Sequence, residues 1–311
     1  MRAPVSITSQ AATSAGTLRT LKYLLLAMRP KQWTKNAVVF VAVVFARHLG
    51  NLRDVELALL AVLIFCLVSG VVYLINDLVD LEQDRQHPFK CHRPLPSGRL
   101  QPRTALVAAV TIGSSALLVS AAVAPLFALA VLAYVILNLL YSFYLKNLVL
   151  VDLFGIAGGF LLRAAGGAWI IGVEISSWLY LCTLLGALFL GLGKRRHELL
   201  VLEDTAASHR KILGEYTTEF LEELISIVSS ALLVSYALYT YFVYPTHTMM
   251  ATVPFAVYGI FRYLYLVHLK NDGGAPEEIL LRDRPLLADI ALWALTAGVV
   301  LYHFSPEAVR G

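Results

Sequence analysis

The stretch Asn76-Asp77-Leu78-Val79-Asp80 continues through Glu82 to Asp84, then runs into the basic segment Lys90-Cys91-His92-Arg93. Carboxylates crowded on one helix face repel one another, and a divalent cation removes that cost. At roughly 100° per residue, a helix continued through residue 84 projects Asn76, Asp77, Asp80 and Asp84 from about one quarter of its circumference. Oxygen-only ligands of this kind suit Mg²⁺, which keeps several waters and bridges to phosphate oxygens. Asn76, Asp77, Asp80 and Asp84 are therefore the candidate metal ligands, and the three aspartates the candidate catalytic residues. A solvated helix end with local ion pairs is the competing reading. The apolar run before the motif and the basic segment after it disfavour that alternative.

Anion contacts are sought among cations near the same end. Lys35 and Asn36 open the first apolar segment, and Arg85, Lys90 and Arg93 follow the acidic motif. Lys194, Arg195 and Arg196 form a second basic cluster, with Glu198 one helical turn past Lys194 and able to pair with it. Arg163 lies inside an apolar segment, where a charge is a functional candidate by default; it would meet a phosphate, or bridge to a carbonyl or carboxylate. Asp152 comes on nearly the same face of that helix. Arg282, beside Asp283 and Arg284, either belongs to a lid or pairs locally. Trp33 reads as an interfacial belt residue, and the glycines from 155 to 167 as helix-packing positions. Cys66, Cys91 and Cys182, like the histidines, show no metal-ligand spacing.

The elements that must hold these residues are membrane spans. Of 311 residues, 58% are hydrophobic and only 15% charged, against roughly half and a quarter in soluble domains. Apolar stretches near 36–53, 55–77, 104–123, 126–144, 149–171, 177–194, 220–244, 248–269 and 286–304 predict an all-α, polytopic integral membrane protein. Its nine transmembrane helices are expected around a central cavity open to the cytoplasmic face. The breaks at Pro125, 172–176 and 244–247 hold no Lys or Arg, whereas the opposite breaks hold nearly all of them. The positive-inside rule then puts the basic loops and the N-terminus in the cytoplasm, the C-terminus outside, and the chain in the cell membrane. A polar, unstructured tail is expected over 1–28 and a catalytic domain over 29–304, with cap loops at 78–103, 195–219 and 270–285. Residues 305–311 form a second tail. Nothing points to nucleic acid, and homo-oligomerisation is left open.

"NDLVDLEQDR" (76–85 with Ile75 before it) and "HRPLPSG" (92–98) together resemble the first signature of the UbiA-type intramembrane prenyltransferase superfamily. The resemblance implies nine helices around a cavity and a Mg²⁺-bound diphosphate under a cytoplasmic cap, held by Asn76, Asp77, Asp80 and Asp84. It also implies that Tyr141 and Lys146 in "YSFYLK" lie near the diphosphate. Members that use a prenyl diphosphate carry a second aspartate-rich motif after the sixth helix, where this chain has "GLGKRRHELLVLED" (191–204). Glu203 and Asp204 lack the spacing of that motif.

With "RPKQWTKN" (29–36), "EYTTEFL" (215–221) and "PEEILLRDRPL" (276–286), the basic second region resembles the decaprenyl-phosphate (polyprenyl-phosphate) phosphoribosyltransferase branch. That resemblance implies transfer of phosphoribose from phosphoribosyl pyrophosphate (PRPP) to a lipid phosphate, a step toward the arabinose donor of cell-wall polysaccharide. The chemistry is consistent: a diphosphate suits Mg²⁺ on the acidic helix, while the 5′-phosphate and the lipid phosphate need cations. An anionic acceptor oxygen needs no strong general base, so positioning and charge neutralisation are expected to dominate. The alternatives are transfer of an isoprenyl group from a prenyl diphosphate to an aromatic or other acceptor and, more distantly, a membrane transporter, whose ion ligands would sit at mid-membrane.

Overall fold

The computed structural model describes residues 18–202, 211–244, 246–270 and 282–304, together with Gly274, Pro276 and Ile279. Residues 1–17 and 305–311 of the expected tails lie outside the described residues. So do 203–210, with Glu203 and Asp204, and much of the expected 270–285 cap. Among the described residues the secondary structure is helical throughout.

The N-terminal tail is shorter than expected, because residues 18–27 form a helix, α1. Its inner face brings Tyr23, Leu24, Ala27 and Met28 into a cluster with Leu74, Leu95, Leu100 and Ala109, and that burial is what orders the segment. The first expected span is broken. A 3-10 helix, Pro30–Val39, is followed by the short α2, Phe40–Phe45, and a 3-10 turn, His48–Gly50. Broken backbone at membrane depth is tolerated where protein shields it from lipid, and the helices α7, Val151–Ile170, and α3, Leu52–Val79, pack along this segment. The approach is close: a Cβ on Gly167 of α7 would sit 2.1 Å from the Val39 carbonyl oxygen.

The remaining spans are α3, Leu52–Val79; α5, Pro102–Val123; α6, Pro125–Phe143; α7, Val151–Ile170; α8, Ser177–Leu202; α9, Thr218–Phe242; α10, Val253–Leu269; and α11, Arg284–Val299, prolonged by a π turn, Val300–Phe304. The short α4, Leu81–Gln86, follows α3 directly. Proline at the first turn starts α5, α6 and α11, where the missing N–H costs nothing. Asn51, Thr217 and Asp283 each cap a helix by accepting from a backbone N–H.

Among the described residues, eight helices, α3 and α5–α11 with their short extensions, are long and apolar enough to cross a membrane. The chain is thus an all-α, multi-pass membrane protein, and its first expected span is not among those eight. The most enclosed helices are α3 and α7, which also carry the polar candidate Asn76 and the charged candidates Asp77 and Arg163. One apolar cluster joins α7 to α8, α9 and α10, and another joins α3 to α6 and α7. Leu95 and Leu100, both 1% exposed, fasten the loop that follows α4, and such burial is worth about 1.5–3 kcal/mol per side chain.

Candidate active site

A cavity of about 960 Å³ opens between α3, α6, α7, α8 and the Pro30–Val39 segment. Its charged lining residues are Lys35, Asp80, Lys146, Arg163 and Lys194, four cations and one acid. Asn76, Gln83, Asn138 and Tyr141 add neutral polar groups, while Val38, Val72, Phe160, Leu190 and Ile290 make an apolar wall.

The acidic motif does not keep all its members on one face. Helix α3 ends at Val79, Asp80 is the joint, and α4 begins at Leu81. Asn76 and Asp80 face the cavity, joined by Gln83 one turn on. Among the described residues, no ion pair or hydrogen bond engages the Asp80 carboxylate. Asp77 and Asp84, each 2% exposed, are held by cations instead. Arg29 donates to Asp77 at 2.6 Å, and Arg93 bridges Asp77 at 3.3 Å and Asp84 at 2.9 Å. Lys90 approaches Asp84 at 3.3 Å. The structure thus divides the four expected ligands, with Asn76 and Asp80 at the cavity and Asp77 and Asp84 in a clasp.

Arg29 was legible only as one more basic loop residue. Its backbone is left-handed (φ 55°) and its guanidinium stacks over the Tyr73 ring at 4.5 Å, so the clasp ties the first segment to α3. Through Arg93 it ties in the loop after α4 as well. Breaking a buried ion pair of this kind costs about 3–5 kcal/mol.

The basic cluster divides in the same way. Lys194 lines the cavity and lies 3.9 Å from Glu198. Arg195, 3% exposed, turns away: it donates to Asp152 at 2.5 Å and pairs with Glu198. Tyr216 donates to the other Asp152 oxygen at 2.9 Å and accepts from the Leu150 N–H at 2.8 Å. Burial pushes the Tyr216 phenol up to about 12, so it remains a donor at working pH. Arg196 pairs with Glu222 at 2.7 Å and donates to the Val267 carbonyl. Arg195, expected as an anion contact, is paired with Asp152 and Glu198 and is absent from the cavity lining.

Other candidates separate by position. Lys35, Tyr141 and Lys146 line the cavity. Asn36 is fully buried below it, accepting from Arg163 at 2.7 Å and donating to the Cys66 sulfur. Arg85 pairs with the exposed Glu82 at 2.8 Å, outside the cavity lining. Lys90, Arg93 and Arg282 are also outside that lining, although Pro276 brings the last loop to it. Tyr134, Asn138 and Gln83 escaped sequence reasoning; Gln83 alone had a signal, its spacing one turn from Asp80.

Arg163 is 8% exposed yet reaches the cavity. It donates to Asn36, to the Gly159 carbonyl at 3.0 Å and to the Tyr134 hydroxyl at 2.7 Å. Insertion of an arginine at a transmembrane helix centre costs about 2.5–3.5 kcal/mol, so these bonds offset part of an unfavourable placement. Asp152, on nearly the same face of α7, is taken by Arg195 and Tyr216.

The donor set at the cavity mouth fits Mg²⁺. Asp80, Asn76 and Gln83 offer oxygen atoms only, and no cluster of three or more acidic, His or Cys side chains forms a closed cage among the described residues. Mg²⁺ is commonly held by one or two carboxylates plus substrate phosphates, which an uncommitted Asp80 satisfies.

The comparisons with known proteins agree with this architecture. The fold matches a UbiA homologue from Archaeoglobus fulgidus bound to DMAPP and Mg²⁺, with a TM-score of 0.68 at 20% identity, covering 89% of this chain and 98% of that one. The chain is 34% identical over 289 residues to a decaprenyl-phosphate phosphoribosyltransferase of Corynebacterium glutamicum, covering 90% of this chain and 86% of that protein. It is 33% identical over 285 residues to the Mycobacterium tuberculosis protein of the same name, covering 88% and 93% respectively. The UbiA prenyltransferase family matches residues 37–279, and the chain belongs to that family.

Proposed function

We propose that the protein transfers the 5-phosphoribosyl group of PRPP to decaprenyl (polyprenyl) phosphate, releasing pyrophosphate in a Mg²⁺-dependent reaction. The supporting observation is the cavity's charge: among the described residues Lys35, Lys146, Arg163 and Lys194 line it with a single acid, Asp80, beside an apolar wall. A reaction whose donor carries a diphosphate and a phosphate, and whose acceptor is an apolar chain with a phosphate, needs that balance. The names of the corynebacterial and mycobacterial relatives support the same reading.

Asn76 and Asp80, with Gln83, would hold Mg²⁺ at the mouth. Bound there, the ion would neutralise the departing pyrophosphate as a Lewis acid. Lys35, Lys146 and Lys194 orient the diphosphate and share its charge. As the C1–O bond to pyrophosphate lengthens, C1 gains oxocarbenium character, as in glycosyl transfer generally. The lipid phosphate oxygen then attacks from the opposite face, with inversion. It is anionic at neutral pH, so the side chains position and neutralise and none needs to abstract a proton. The positive-inside rule supports a mouth on the cytoplasmic side, with the N-terminus inside and the C-terminus outside.

The test is purified protein with labelled PRPP, decaprenyl phosphate and Mg²⁺. Lipid-linked phosphoribose is the expected product. Its absence, together with turnover of a prenyl diphosphate and an aromatic acceptor, overturns the proposal in favour of prenyl transfer, which the DMAPP-bound fold relative supports.

A further inference from the structure

We propose that the cavity floor holds a second anion site, built on Arg163, that takes a phosphate monoester apart from the diphosphate at the mouth; this rests on the reading of the cavity as one for phosphorylated substrates. The argument begins with a contrast among buried arginines. Arg195 and Arg196 each meet a carboxylate. Arg163 lies on the same bundle, as deeply enclosed, and among the described residues all its partners are neutral. A buried charge is ordinarily paired, because its desolvation is otherwise uncompensated. The charge of Arg163 is left for something the cavity admits.

The side chain is fixed in readiness for that ligand. Three of the five guanidinium N–H bonds go to Asn36, Gly159 and Tyr134, leaving one on each terminal nitrogen. The guanidinium also stacks over the rings of Tyr134 at 4.6 Å and Phe160 at 5.3 Å. Such a held fork binds phosphate with two parallel hydrogen bonds and little further ordering.

Depth separates this site from the mouth. The side chain runs back along α7 to Gly159, roughly 12 Å from the start of that helix at 1.5 Å per residue. Asp80 lies beyond the end of α3 at the mouth. A donor with its diphosphate at Asp80 would carry its 5′-phosphate on the far side of the ribose. A lipid acceptor would present its phosphate at the end of an apolar chain lying along the wall. Both are phosphate monoesters, and both could reach Arg163.

Ligand protection in EDTA separates the two sources without turnover. The melting temperature of the purified protein is followed against ribose 5-phosphate, decaprenyl phosphate and unphosphorylated ribose. Wild-type protein is expected to be stabilised by at least one phosphate ester and not by ribose. In Arg163→Gln the half-saturating concentration of that ester should rise by about tenfold or more. Loss of ribose 5-phosphate protection assigns the site to the donor; loss of decaprenyl phosphate protection assigns it to the acceptor. Equal protection of Arg163→Gln and wild type by both esters, or no protection of wild type by either, overturns the proposal. Should Arg163→Gln not fold, Arg163→Lys decides: it keeps the charge without the fork and should bind measurably less well, and unchanged binding rejects the site. Failure of wild-type protein to make lipid-linked phosphoribose defeats the reaction assignment but leaves an Arg163-dependent protection standing.

Discussion

The acidic end of α3–α4 and the basic stretch of α8 obey one rule from opposite signs of charge. In the first, Asp80 faces the cavity while Asp77 and Asp84 are clasped by Arg29 and Arg93. In the second, Lys194 faces the cavity while Arg195 and Arg196 are held by Asp152 and Glu222. A charged motif here is part cavity lining and part fastening. The cavity takes one charged member of each, and the others hold the segments that bring it there. Residue type alone does not separate the two roles; burial and partner do.

The sharpest way to break this comparison sets Asp80 against Asp77. Asp80→Ala is expected to lower phosphoribosyl transfer on the order of 10²–10³-fold, with the melting temperature nearly unchanged. Asp77→Asn is expected to lose about 3–5 kcal/mol of stability, seen in thermal melts, and to retain Mg²⁺-dependent turnover where it remains folded. If Asp77→Asn melts like wild type but is inactive, Asp77 belongs with the ligands and the division of the motif fails.

The basic side should repeat the pattern at smaller amplitude. Lys194→Ala removes one charge-assisted contact and is expected to raise KM for PRPP roughly tenfold, through a loss of about 1.5 kcal/mol, with stability unaffected. Arg195→Met strands Asp152 in a buried site, so its main readout is a lowered melting temperature. A KM effect larger for Arg195→Met than for Lys194→Ala, in protein of normal stability, would reverse the two roles.

What the sequence displayed was mostly local. Asn76 and Asp80 share a face under ordinary helical spacing, and Lys35 and Lys146 stand at the ends of apolar runs that betray the membrane. The joint at Asp80, which sends Asp84 to Arg93, depends on a loop fastened by Leu95 and Leu100. Asp152 is 43 positions from its partner Arg195, and Asn36 is 127 from Arg163; no spacing announces either contact. The first span misled for a related reason. Its hydrophobicity reads as a regular helix, but close packing of Val39 on Gly167, between distant segments, accompanies a 3-10 path instead. Helix α1 was hidden by its neighbours, because the small polar residues before it dominate any reading of the tail.

A peripheral pair gives the smallest expected effect and a control for burial. Arg262 donates to both Asp283 oxygens, at 3.1 and 2.8 Å, which is guanidinium-to-carboxylate pairing as in the clasp, but as a two-bonded fork at the bundle's edge. The hydrogen bonds from Arg262 hold the Asp283 carboxyl below its usual value of 3.8. A depressed carboxyl stabilises the fold above that unfolded-state value and loses its contribution as pH falls through the lower folded one. The wild-type melting temperature should therefore drop slightly more than that of Asp283→Asn as the pH is lowered from 5 to 3. At pH 7 the variant should melt only a little below wild type, since the amide oxygen of the new side chain can still accept from the Leu286 N–H and cap α11. A loss at pH 7 as large as that of Asp77→Asn would mean that fork geometry, and not burial, sets the strength of these fastenings.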